Sequence, residues 1–144
     1  MQKRFLSLLM AALMVFSLFP FTAAAADIVD SGACGENLTW TLDADGVLTI
    51  SGTGPMALYS SREESPFYAF REAIQSVVIE PGVTSVGNYA FFNCYNLASV
   101  TIPDGVTGIG DYVFYNCDSL TSVVIPEGVA SIGTYAFYSC SGLT

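Results

Sequence analysis

From residue 74 onward the chain repeats one pattern every 23 residues without an insertion: IQSVVIEPGVTSVGNYAFFNCYN (74–96), LASVTIPDGVTGIGDYVFYNCDS (97–119) and LTSVVIPEGVASIGTYAFYSCSG (120–142). Gly82, Gly105 and Gly128 share one register, Phe91, Phe114 and Phe137 a second, and Cys94, Cys117 and Cys140 a third. A unit this short cannot bury its own apolar face. Its neighbours must cover it above and below, so a period of roughly 20–50 residues specifies a stacked array with a shared core. Leu143 and Thr144 stand where a fourth unit would begin. Either the array continues beyond them or the third unit closes the stack imperfectly.

Spacing inside each unit predicts its local structure. Val77 and Ile79, Val100 and Ile102, Val123 and Ile125 alternate with Ser76 and Val78, Ser99 and Thr101, Ser122 and Val124. That period of two predicts strands over 77–79, 100–102 and 123–125, with the first set inward and the second outward. Pro81, Pro103 and Pro126, with the neighbouring glycines, end each strand. The next apolar pairs, Val83 and Val86, Val106 and Ile109, Val129 and Ile132, lie three apart and lead to a second bend at Gly87, Gly110 and Gly133. Segments 89–94, 112–117 and 135–140 are too short for independent helices and read as single helical or 3-10 turns, each burying a small apolar residue, its phenylalanine and its cysteine. The expected fold class is an α/β solenoid: a short right-handed stack of three 23-residue coils with parallel strands.

Residues 27–73 lack the period and read as an N-terminal cap. NLTWTL (37–42) and VLTIS (47–51) flank Asp43, Ala44, Asp45 and Gly46, which predicts a β-hairpin with Leu38, Trp40 and Leu42 on one face. The Asp-x-Asp-Gly run lacks the remaining ligands and terminal glutamate of a calcium loop and reads as a turn, so no metal site is expected. Ser65 followed by Pro66 suggests a brief helix through Phe70 or Glu72. Phe67, Tyr68, Phe70 and Ile74 are then available to close against the first repeat.

Residues 1–26 have the three parts of an export signal: Lys3 and Arg4, an apolar run from Phe5 to Phe21, and small residues ending in Ala24, Ala25 and Ala26. The expected division is 1–26 signal peptide, 27–73 cap and 74–144 repeats, in a secreted or extracellular-surface protein. After cleavage only Arg62 and Arg71 face 13 carboxylates, a net charge of −11. Such a surface repels nucleic acid and anionic lipid, and no second apolar run predicts membrane insertion. The chain contains no histidine, which excludes Ser-His-Asp and Cys-His catalysis. Most carboxylates fall in turns, and the repeat cysteines form no C-x-x-C pair. These features predict neither an enzyme nor a cofactor.

Two surfaces are candidates for binding. Ser76, Val78, Ser99, Thr101, Ser122 and Val124 form an outward ladder of small side chains on the strand face. Phe92, Tyr115 and Tyr138 form an aromatic column able to face a partner, while Tyr89, Tyr112 and Tyr135 form a second column expected to pack between units.

The pattern L-x-S-V-x-I-P-x-G-V-x-x-I-G-x-Y-x-F-x-x-C-x-x-L over 97–120, repeated over 120–143 and, with Ile74 and Glu80-Pro81 as departures, over 74–97, resembles the BspA-like leucine-rich repeat family of secreted and surface proteins. GENLTWTLDADGVLTISGTGPM (35–56) and SPFYAF (65–70) resemble the N-terminal cap of many members. The resemblance implies a leucine-rich-repeat stack and a binding module for adhesion, or for recognising extracellular protein or glycan. The alternative is a non-enzymatic scaffold, or a fragment of a longer repeat protein, without a ligand of its own.

Overall fold

The computed structural model describes residues 26–144; except for Ala26, the export signal expected at 1–26 lies outside the described residues. Among the described residues nine strands form two sheets. The first orders β1 (Ile28–Gly35), β2 (Leu38–Asp43), β3 (Val47–Gly52), β5 (Ser76–Ile79) and β7 (Ser99–Thr101) side by side. The second orders β4 (Gly54–Pro55), β6 (Val83–Val86), β8 (Gly108–Ile109) and β9 (Ser131–Ile132).

The predicted hairpin is present and belongs to a larger meander. β2 pairs antiparallel with β3 through Trp40 opposite Ile50 and Leu42 opposite Leu48. Asp43 Oδ1 accepts the N–H groups of Asp45 and Val47, so the acidic run acts as a turn that stabilises itself. The hairpin reading missed β1, which adds antiparallel to β2 with two register shifts. Its burial is low over most of its length, so it carries none of the alternation that marks a half-buried strand. Gly32 lies opposite Trp40, where an added Cβ would press to 3.0 Å from the indole nitrogen.

β3 joins the segment before the repeats to the first repeat. Leu48 aligns with Val77 and Ile50 with Ile79 in a parallel ladder, which β7 then extends by pairing Val77 with Val100. The inward side chains Leu48, Ile50, Val77, Ile79 and Ile102 are buried, as the period of two requires. The strand expected over 123–125 does not form: the first sheet ends at β7, and Ile125, expected inward, is 37% exposed. No further layer covers that end among the described residues, so the third unit lacks the two-sided packing that orders the first and second.

The apolar pairs three apart hide the second sheet. Val83 and Val86 bracket β6, whose Ser85 and Val86 align with Gly108 and Ile109 of β8, and these with Ser131 and Ile132 of β9. A separation of three positions does not suggest a strand, yet the stack supplies parallel partners one period away, and these override the local pattern.

The expected helical turns are also corrected, and no α-helix occurs among the described residues. Tyr89 and Asn93 have φ near +60°, as do Tyr112, Asn116, Tyr135 and Ser139. A left-handed residue interrupts the right-handed succession a helix needs. Alternate amides point in different directions instead. Those of Ala90, Phe92 and Cys94 close back on Gly87, Tyr89 and Phe91 within the turn, at 3.2–3.3 Å. Those of Tyr89, Phe91 and Asn93 donate to Asp111, Val113 and Tyr115 of the next repeat, at 2.8–2.9 Å. The brief helix expected from Ser65 through Phe70 or Glu72 is a single 3-10 turn, Tyr68–Phe70, and a second 3-10 turn, Arg62–Glu64, precedes Ser65. Among the described residues the fold is thus built of strands and turns, not α/β.

A phenylalanine stack runs through the core. Phe67, before the repeats, stacks on Phe91 at 5.3 Å, Phe91 on Phe114 at 5.5 Å and Phe114 on Phe137 at 5.2 Å. Trp40 continues the aromatic run with its ring edge-on to Phe67 at 5.6 Å. Ser65 fastens the junction: its buried Oγ donates to the carbonyl of Ala90 at 2.8 Å and accepts the N–H of Phe67.

Candidate functional site

The turns that carry left-handed tyrosines also place the most regular surface of the molecule. In each repeat the first turn residue (Tyr89, Tyr112, Tyr135) and the fourth (Phe92, Tyr115, Tyr138) point to one side. Inter-repeat amide bonds then hold successive turns in register. Tyr89 stacks on Tyr112 at 5.0 Å with planes 2° apart, and Tyr112 meets Tyr135 at 5.4 Å with planes tilted by 36°. Phe92 stacks on Tyr115 at 4.7 Å and 3°, and Tyr115 on Tyr138 at 5.1 Å and 14°. The columns touch within each repeat, with centroids 5.9, 5.7 and 5.2 Å apart. Together they make a ribbon two rings wide.

Exposure rises along the ribbon. Phe92 is only 8% exposed, Tyr115 is half-buried, and Tyr138 is 52% exposed. Of the column Phe92, Tyr115 and Tyr138 expected to face a partner, Phe92 therefore serves mainly as its foundation. The column expected only to pack behaves alike: Tyr89 and Tyr112 are half-buried and Tyr135 is 51% exposed. Both columns stack between repeats, and both reach the surface.

Reading the sequence missed Arg62, which lies in a polar run beside two glutamates. The 3-10 turn Arg62–Glu64 sets its guanidinium carbon 5.6 Å from the centroid of Phe92 and 5.8 Å from that of Tyr68. Arg62 Nε donates to Glu63 Oε2 at 2.8 Å. This hydrogen bond holds the Glu63 carboxyl below its ordinary range and the guanidinium above its own. Ser61, Arg62, Glu63, Tyr89, Phe92, Tyr112 and Tyr115 line a cleft of about 360 Å³ between the Arg62–Glu64 turn and the first two repeats. The Tyr112 phenol is pushed above its ordinary range, first by desolvation and then by the phenols of Tyr89 and Tyr135, so it stays a neutral hydroxyl.

The strand-face candidates occupy a different surface, and none of them lines this cleft. Ser76 aligns with Ser99 and Val78 with Thr101. Ser122 and Val124 are exposed, Val124 by 80%, but lie in the segment without strand pairing. β1 to β3 extend the ladder in the other direction: Thr49 aligns with Val78, Thr41 with Thr49 and Ser31 with Thr41. The alternation in 39–41 and 49–51 already carried that signal.

The comparisons agree with this geometry. Residues 62–144 match the BspA type leucine rich repeat region (6 copies). The chain belongs to the BspA-type leucine-rich repeat family. A crystal structure of a leucine-rich repeat protein from Eubacterium ventriosum is similar to this BspA-type chain at 38% identity and a TM-score of 0.69, over 76% of this chain and 30% of that one. A leucine-rich repeat protein from Bacteroides ovatus matches at 19% identity and a TM-score of 0.54, over 85% of this chain and 33% of that one, and shows the shared fold alone. The BspA-type chain thus spans about a third of the length of either solved structure. No curated protein matches it.

Proposed function

We propose that the chain is an exported, non-catalytic binding module, acting at the bacterial surface in adhesion or in recognition of extracellular protein or glycan. In this reading the two parallel ladders are those of a right-handed solenoid of three coils closed by the 27–73 cap. The aromatic ribbon carries the proposal. Six rings from three repeats lie side by side, increasingly exposed toward the third, and aromatic side chains supply large contact area at low entropic cost. A net charge of −11 over 27–144 argues against nucleic acid and anionic membrane as partners. The test is an array of host-surface proteins and glycans probed with the wild type and with Tyr135→Ala/Tyr138→Ala. One saturable ligand lost in the double variant supports the module; unchanged binding moves the contact to the strand face.

The stacking distances also favour a second reading, a scaffold whose aromatic rings serve only to hold repeats together. Stability separates the two. A scaffold loses stability in the double variant and has no ligand to lose, whereas a binding module loses its ligand while its buried core, centred on Phe91 and Phe114, stays folded.

A further inference from the structure

We infer that the cleft at the cap–repeat junction holds one neutral pyranose unit, and that the ribbon carries a linear neutral polysaccharide onward at about one sugar per repeat. The inference rests on the binding reading above and narrows it to one ligand class.

Charge is the first argument. The cleft contains one guanidinium and one carboxylate, already paired at 2.8 Å, together with hydroxyls and aromatic rings. The Asp111 carboxylate beside Tyr112 is engaged by the N–H of Thr134 at 2.7 Å. An anionic ligand would meet the long-range repulsion of a −11 surface and a cation that already has its partner. A cationic ligand would compete with Arg62 for Phe92 and Tyr68, whose rings it already approaches to 5.6 and 5.8 Å. A neutral polyhydroxyl compound escapes both objections. Its hydroxyls can pair with Ser61, the phenols of Tyr89, Tyr112 and Tyr115, and the remaining Arg62 N–H groups, while its C–H groups lie along the outer edges of the stacked rings, whose faces cover one another.

Size and spacing are the second. A volume of about 360 Å³ suits a small-molecule unit. From the cleft, Tyr112 and Tyr115 lead to Tyr135 and Tyr138 in steps of 5.4 and 5.1 Å, comparable with the length of one pyranose ring in an extended chain. The inter-repeat amide bonds fix these steps, so the surface is organised before a ligand arrives.

The experiment is calorimetric titration of the purified protein with neutral hexaoses of glucose, mannose and xylose in β-1,4, β-1,3 and α-1,4 linkage. Hexagalacturonate and hexa-arginine are the charged arms. At least one neutral hexaose should bind, more tightly than its own disaccharide. Tyr112→Phe and Tyr115→Phe keep the rings and should each weaken it about five-fold, the worth of one hydrogen bond; Arg62→Ala should weaken it at least as much. Tighter binding of either charged probe, or neutral binding indifferent to all three variants, overturns the inference. A protein ligand lost in Tyr135→Ala/Tyr138→Ala, with no saccharide bound, sinks the sugar assignment and leaves the binding module standing. No ligand of any kind sinks both.

Discussion

Cys117 Sγ donates to the main-chain carbonyl of Phe91, 26 residues earlier, at 3.3 Å. Cys140 repeats the contact with Phe114 at 3.0 Å. The repeat thiols are thus buried rungs whose weak donors satisfy carbonyls one repeat away, and all four cysteines of the chain are free. Folded protein should label negligibly at Cys94 and Cys117 and unfolded, unreduced protein fully at 94, 117 and 140. Peptide mass mapping that finds a stoichiometric bridge between two of them would reverse this.

The same burial predicts alkaline weakening. Desolvation lifts the Cys34 thiol to about 11 and Cys94 to about 12 from a starting value of 9.0, and lifts Cys117 and Cys140 in the same direction. The unfolded chain therefore loses these protons first as pH rises. Stability contributed by the neutral thiols is whole below pH 9 and declines from there through 11–12, with a slope of about 1.4 kcal/mol per pH unit for each thiol that ionises only on unfolding. Urea midpoints measured from pH 8 to 11 should fall, and Cys94→Ala should flatten the slope.

Phe114 is covered on both sides by phenylalanine rings at 5.5 and 5.2 Å. Phe114→Ala should cost about 3–5 kcal/mol in denaturant unfolding. Phe137→Ala, at a half-buried ring, should cost clearly less, and Thr101→Ala should stay within about 0.5 kcal/mol of wild type. Equal losses at 114 and 101 would remove the phenylalanine stack from the account.

Hydrogen exchange should show a two-residue rhythm in the third repeat. Ala136, Tyr138 and Cys140 donate within their own turn, whereas Tyr135, Phe137 and Ser139 have no next repeat to receive their N–H groups among the described residues. The second set and the unpaired segment 121–126 should exchange fastest, with the equivalents Tyr112, Phe114 and Asn116 protected. Uniform protection across 112–140 would contradict this.

Asn116 sits at φ 60° and donates from Nδ2 to Asn93 Oδ1 at 3.1 Å. Alanine and glycine both delete that bond, but only glycine accepts the left-handed backbone freely. Asn116→Ala should therefore be less stable than Asn116→Gly by about 1 kcal/mol, read from paired thermal and urea melts.

The 23-residue period, the burial of Phe91, Phe114, Cys94 and Cys117, and the alternation in β5 were all legible in the chain, because identical residues at a fixed interval can share a core only by stacking. The Leu38–Trp40–Leu42 face was legible for the same reason, from a period of two. The candidate surface was half legible: its tyrosines recur in sequence, but Arg62 does not repeat and reaches Phe92 only through the fold of the segment before the repeats.

Sequence alone determined the period and the inward residues Val77, Ile79 and Ile102, since these follow from which side chains must leave water. Only the tertiary structure decided how the turns close. Segments 89–94 and 112–117 carry no local signal against a helical turn, and a tyrosine costs energy at positive φ. The parallel partner one repeat away receives every second amide at 2.8–2.9 Å, and that bonding offsets the strain. The second sheet and the unpaired 121–126 segment have the same origin, for strands of two to four residues exist where a neighbouring repeat pairs with them.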